Sequence, residues 1–354
     1  VVWLVVGGGV WGCLGRRFPR RRGLLLVLGG GGLGYGLAIW GAFVHFALWL
    51  PLLVPLGFQL PATAGFVLWR RLWVAEQLRR QLEGYLPVWI KAWPTDARGM
   101  PTPANQEVSG VCLSTDLAGY TRISEGYRPT DLHTFVNDYF AGLFEVVYHH
   151  RGWVSDIKGD GMLALWVKNA PEVVLRQRAC EAALAIVDAL KGRDETQLPT
   201  RLGLHGGSVA LGVVGSPRHW EFRALGDPVN TVQRIQELNK SLKTQVLASR
   251  ETLDGVEDVV YCPVGRFRLR GKRQILELVE LWRTGRPTSA EQATIEACNN
   301  ALACWRRGDF VAAQRGFAAL ASRGVAPAGF YLKRCHGLAR QPVPKGWNGV
   351  VEGV

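Results

Sequence analysis

The chain has 354 residues, 48% of them hydrophobic and 20% charged, with 42 Lys and Arg against 29 Asp and Glu for a formal net charge of +13. That much apolar material, 14 Trp included, excludes an intrinsically disordered chain. The basic excess does not indicate a nucleic-acid partner, because Arg16, Arg17, Arg20, Arg21, Arg22, Arg70 and Arg71 flank apolar stretches, and the cysteines form no CxxC pair that would hold zinc or frame a disulfide scaffold.

From Gly23 to Trp69 there is no Asp, Glu, Lys or Arg. A run of that length predicts two bilayer crossings of about 20 residues each, broken near Trp49-Leu50-Pro51. The apolar stretch Val1 to Gly15 is expected to be the remnant of an earlier span. With the arginine clusters inside, everything after Trp69 is placed in the cytoplasm. Residues 1–69 are therefore expected to be transmembrane helices, the first truncated, in a multi-pass protein of the inner (plasma) membrane. Gly29 to Gly32 has purely apolar neighbours and fits helix packing in lipid better than a phosphate loop.

Residues 70–107 are expected to be a helical connector and linker. Ala75, Leu78, Leu82 and Tyr85 recur at three-four-three spacing, the pattern of a short parallel coiled coil, and Pro94, Pro101 and Pro103 follow. From 108 to 283 strands and helices alternate. Val111-Cys112-Leu113 is a strand ending at Asp116, and Thr130 to Tyr148 is an amphipathic helix. Trp153 to Ile157 and Met162 to Trp166 are strands joined by Lys158-Gly159-Asp160-Gly161. A helix from Glu172 to Lys191, a strand pair at Leu202–Leu204 and Val209–Val214, and a helix from Pro228 to Asn239 complete the pattern. The order β-α-β-β-α-β predicts an α+β, ferredoxin-like core. Residues 288–354 are expected to be a helical tail, with helices near 291–306 and 309–321 resembling one tetratricopeptide-type pair that must pack on the core or a neighbour.

Asp116 follows the end of one strand and Asp160 sits in the turn between two others. If those strands are neighbours, both carboxylates point at one spot, a donor set suited to Mg²⁺ or Mn²⁺. Asn230 and Arg234 are four apart on a helix, so both can reach one phosphoryl group.

The segments Val111-Cys112-Leu113-Ser114-Thr115-Asp116-Leu117-Ala118-Gly119-Tyr120-Thr121, Lys158-Gly159-Asp160 and Leu225-Gly226-Asp227-Pro228-Val229-Asn230, with Arg234, resemble class III adenylate/guanylate cyclases from about Ser109 to Trp282. The spans, the connector and the ending Gly346-Trp347-Asn348-Gly349-Val350 further resemble bacterial cyclases with an extracellular CHASE2 sensor, here expected to be missing from the N-terminal side. The resemblance implies a head-to-tail homodimer with ATP as substrate and 3′,5′-cyclic AMP as product. It implies two metal ions per site on Asp116, Asp160 and the backbone carbonyl of Leu117, with Asn230 and Arg234 supplied by the other protomer. Lys272 or Arg270 would meet the terminal phosphates. At two positions that read the base in the family, this chain has Asp156 and Arg223. They would either meet across the interface and hydrogen-bond a base or form a salt bridge. A guanylate cyclase and a non-catalytic nucleotide receptor are the alternatives.

Overall fold

A computed structural model describes residues 106–168, 170–191, 199–216 and 219–353, with residues 37, 40–41, 43–46, 64–70, 72–74 and 76. The chain divides into two compact units, Val1–Trp93 and Pro94–Val354. In the first, the described residues are helical, and among them no helix is long and apolar enough to cross a membrane. Most of the predicted spans, the connector beyond residue 76 and the proline linker lie outside the described residues.

The second unit begins with β1 (Gln106–Leu117), α1 (Tyr120–Gly126) and α2 (Pro129–His149). The hairpin β2 (Trp153–Lys158) and β3 (Gly161–Val167), α3 (Glu172–Leu190) and β4 (Thr200–Ser216) follow. β1 lies between β3 and β4 with β2 outside β3, every neighbour antiparallel, which is the ferredoxin-like arrangement. Its cause is visible in the pattern. Val111, Leu113 and Leu117 share one face of β1 and meet Phe140, Leu143 and Val147 of α2 and Leu175, Ala179 and Ile186 of α3 in one apolar cluster. A period of two on the strand thus meets a period of three or four on the helices.

The chain continues through β5 (His219–Leu225), α4 (Asp227–Leu242), β6 (Val246–Ser249), a short 3₁₀ turn at Arg250–Leu253, β7 (Val259–Arg268) and β8 (Leu276–Thr284). It ends with α5 (Ser289–Arg307), α6 (Phe310–Ser322), α7 (Ala328–Leu338) and β9 (Val350–Glu352). β6 runs parallel to β4 and β9 parallel to β7, so the sheet is mixed. Val246 and Ala248 face α2 and α3, whereas Leu247 joins Ile235 and Leu238 of α4 and Leu302, Trp305 and Phe317 of the C-terminal helices. Helices therefore cover both faces of the sheet.

One expectation is corrected. The two short strands predicted at Leu202–Leu204 and Val209–Val214 are one strand of 17 residues. Gly206 and Gly207 interrupt the apolar alternation, yet Gly207 is where α4 presses on the sheet. A Cβ there would come within 2.6 Å of Pro228 Cγ, and one at Gly203 within 2.6 Å of the Val232 carbonyl oxygen. A glycine inside a strand marks close backbone approach, and here it is not a turn.

The C-terminal helices pack on the sheet. A capping box opens α5, with Thr288 Oγ1 accepting from Glu291 N and Glu291 Oε2 accepting from Thr288 N. Gly308, at φ 79°, ends it in the left-handed conformation that glycine tolerates best. Trp305 is 2% exposed, between Phe310, Tyr331 and Trp347, and its indole N–H donates to the Gly349 carbonyl at 2.9 Å. The likeness of α5 and α6 to a tetratricopeptide pair rests on sequence pattern alone.

Candidate active site

Asp116 stands one residue before the end of β1, and Asp160 in the turn joining β2 to β3. Their meeting follows from register. Ser114 pairs with Leu163, and beyond that pair Met162 N donates to Thr115 Oγ1 at 3.0 Å. Gly161 lies so close that a Cβ on it would stand 2.8 Å from the Thr115 carbonyl oxygen. Gly159, at φ 63°, lets the turn close tightly enough to deliver Asp160 to that spot. The two carboxyl groups then influence one another directly. Burial pushes the Asp160 carboxyl above its ordinary value, and the charge of Asp116 and a hydrogen bond with it push the same way. The amide N–H groups of Asp160 and Leu117 act in the opposite direction.

The pair has supporting residues that the motifs did not reveal. Arg201 is the cross-strand partner of Asp116 and places Nη1 3.6 Å from its Oδ2. Beneath the acids, the Tyr139 hydroxyl bonds Thr200 Oγ1 at 3.1 Å. Burial raises that phenol, and the charges of Asp160 and Asp116 raise it further. Tyr139 is legible in sequence only as a core position of α2, and Arg201 only once the β1–β4 register is known.

The remaining predicted residues form a second set on β5 and α4 and beside them. Asn230 and Arg234 are exposed on α4, and Arg234 Nη1 pairs with Glu237 Oε2 at 2.8 Å. Lys272 Nζ contacts Asp227 Oδ1 at 2.5 Å, at the first turn of the same helix. Asp156 and Arg223 meet within one chain, Arg223 Nη2 standing 3.6 Å from Asp156 Oδ2 and Nε 2.6 Å from Glu221 Oε2. Within one chain the pair forms a salt bridge. It forms because β5 leans on β2, with Trp153 against Phe222 and Ala224 N donating to Ser155 Oγ. Among the described residues, no ion pair or hydrogen bond joins this second set to the acids.

The donor set fits a hard divalent cation. The Asp160 carboxyl, raised by burial and by the Asp116 charge, is short of positive charge, and Mg²⁺ takes one or two protein carboxylates while water and phosphate fill its other positions. Among the described residues, no group of three or more His, Cys, Asp or Glu stands ready to enclose a metal.

Paired acids at a strand end and a neighbouring hairpin, on an α+β sheet with an Asn/Arg helix, define a nucleotidyl cyclase type of catalytic domain. Residues 104–279 match the family model of the adenylate and guanylate cyclase catalytic domain, and this segment is a domain of that kind. Adenylate cyclase 1 of Rhizobium meliloti is 34% identical over 186 residues, which cover 50% of this chain and 27% of that enzyme. An uncharacterized protein of Mycobacterium tuberculosis is 30% identical over 164 residues, 46% of this chain and 28% of that protein. The chain thus spans under a third of the length of these curated relatives. A bacterial light-regulated adenylyl cyclase structure matches with a TM-score of 0.51 and 20% identity, covering 66% of this chain and 68% of the other, a likeness of fold.

Proposed function

We propose that this chain is a membrane-anchored adenylate cyclase acting in signal transduction, converting ATP to 3′,5′-cyclic AMP and pyrophosphate in a head-to-tail homodimer. The observation that carries the reading is the convergence of Asp116 and Asp160, with burial and mutual repulsion raising Asp160. Asp116, Asp160 and the Leu117 carbonyl would hold two Mg²⁺ or Mn²⁺ ions. Bound there, the metals supply Lewis-acid stabilisation of the ribose 3′-oxygen and of the departing pyrophosphate. The protein's own contribution comes from two copies. Arg201 orients Asp116. Arg234 of the second copy places its guanidinium against charge spreading over the phosphoryl oxygens, and Asn230 holds the ribose. Lys272 meets the terminal phosphates once it leaves Asp227.

Four features support the wider reading. Arg234 and Asn230 are exposed, and among the described residues no ion pair or hydrogen bond joins either to the acids of their own chain, as suits residues serving a partner's site. The uncharged run from Gly23 to Trp69 is flanked by arginines. The described helical residues within it carry exposed Leu37, Trp40, Phe46, Phe66 and Trp69, which suit a lipid surroundings. The relative named as an adenylate cyclase favours ATP.

A second reading, a guanylate cyclase, is kept by the Asp156–Arg223 pair, since an Arg and an Asp present a mixed donor and acceptor edge to a base. An ion pair with partial exposure contributes only about 0–1 kcal/mol, so it opens readily for substrate. The experiment is a single incubation of the purified chain with Mn²⁺ and equal ATP and GTP. Cyclic AMP in excess supports the proposal, cyclic GTP-derived product in excess supports the second reading, and no cyclic product sinks both.

A further inference from the structure

Across the junction between the catalytic sheet and the C-terminal helices, two thiols face each other. Cys262 of β7 and Cys298 of α5 place their Sγ atoms 3.0 Å apart, with 2% and 4% of the residues exposed. That separation is inside ordinary contact for two sulfurs and needs about 1 Å of closure to reach a disulfide bond length. Both are free cysteines in the structure. The pair is buried but not remote from solvent. A cleft of 530 Å³ is lined by Tyr261 and Pro263, which flank Cys262, and by Ile295 and Asn299, close to Cys298 on α5. The cleft brings solvent alongside the segments that carry both thiols, although neither sulfur lines it.

We propose that Cys262 and Cys298 are a reversible oxidation site, a dithiol that closes to a disulfide and fastens α5 covalently to the catalytic sheet. The inference stands on the geometry of this junction and is independent of the nucleotide assigned to the active site. The two thiols are not equivalent. Cys262 donates its S–H to Cys298, and that hydrogen bond holds the Cys298 thiol below its ordinary value, while burial and the same bond push Cys262 up. Either thiol, once ionised, can serve as the attacking sulfur and the other as the resolving one. With a peroxide as oxidant, one thiolate attacks one oxygen, the O–O bond breaks, and a sulfenic acid and water form after protonation. The other thiol then attacks the sulfenic sulfur, the S–S bond forms, the S–O bond breaks, and a second water leaves. Two thiols are oxidised and one peroxide is reduced to two waters. In a reducing compartment such a bond is transient and reports oxidant, the usual use of a disulfide there.

The disulfide would close a loop over β8 and the first half of α5, removing freedom from the unfolded chain. The test treats the reduced full chain with hydrogen peroxide, then maps peptides under non-reducing conditions. The expected result is a peptide joining Cys262 to Cys298, lighter by two hydrogen atoms, a loss of two free thiols per chain, and a raised Tm, all reversed by dithiothreitol. Cys298→Ala should lose the Tm rise and leave Cys262 reduced. If that variant fails to fold, the peptide map of the unaltered chain decides alone. A crosslink between other cysteines, a disulfide between chains, or sulfinic acid at Cys298 without a crosslink overturns the proposal.

Discussion

The two ends of this catalytic unit handle polar groups in opposite ways. At the acid edge, Asp116 and Asp160 are drawn together by the β1–β3 register with Arg201, at 3.6 Å, to offset them among the described residues. On the face covered by the C-terminal helices, Trp305 and Trp347 satisfy their indole N–H groups on carbonyls at 2.9 and 2.7 Å, within an apolar cluster. The first region is left short of positive charge, whereas the second keeps both indoles satisfied and leaves the buried Tyr331 hydroxyl without a partner. The contrast teaches where binding is placed: a ligand gains free energy by completing an unfinished set of contacts, and a finished one only adds stability. One residue blurs the division. Glu280 of β8 lies behind the same helices, and burial pushes its carboxyl up to about 7.

The comparison breaks most easily at the acids. Asp160→Asn should reduce cyclic-nucleotide formation by more than about a thousandfold, about 4 kcal/mol of transition-state stabilisation. Because mutual repulsion is relieved, Tm should hold or rise, and a fall in Tm as large as the fall in rate would show that the pair is structural. Arg234→Ala should cost on the order of a thousandfold in turnover at unchanged Tm. Mixing it with Asp160→Asn should restore activity through hybrid dimers, and failure to restore any would contradict a site shared between copies. Trp305→Ala should lower unfolding free energy by about 3–5 kcal/mol, read by denaturant midpoint, without removing activity from the molecules that remain folded.

Glu280 gives a pH test with a definite sign. Its folded value of about 7 stands above the ordinary 4.5, so the folded state holds the proton more tightly. Its stabilising contribution is complete below about pH 4.5 and is lost as pH rises through 7. Glu280→Gln keeps an acceptor for the Trp282 indole and should be more stable than the parent at pH 8, by at most about 3 kcal/mol. The two should match at pH 4.5. Asp309→Ala, which removes the acceptor for Ala312 N at the start of α6, should cost about 1 kcal/mol by thermal melt.

The central fold was legible because its signals are local. The period of β1, the helical spacing of α2 and the glycine turn before Asp160 each declare themselves within a few residues. What was illegible depends on contact across the chain. Gly206 and Gly207 look like a break until Pro228 is seen to pack there. Arg201 is an anonymous charge until it stands opposite Asp116. The Asp156–Arg223 salt bridge was one of two outcomes the residues left open, and β5 folding back on β2 is what brings the pair together within one chain.

The terminal strand β9 has a consequence for the order of assembly. It joins β7 through pairs as distant in sequence as Arg266 and Val350, and all of α5, α6 and α7 intervene. Contacts of such long range must overcome loop closure before they return any free energy. This ladder should therefore form last on refolding, so that amide protection along Val350–Glu352 lags behind that of the strands flanking Asp116.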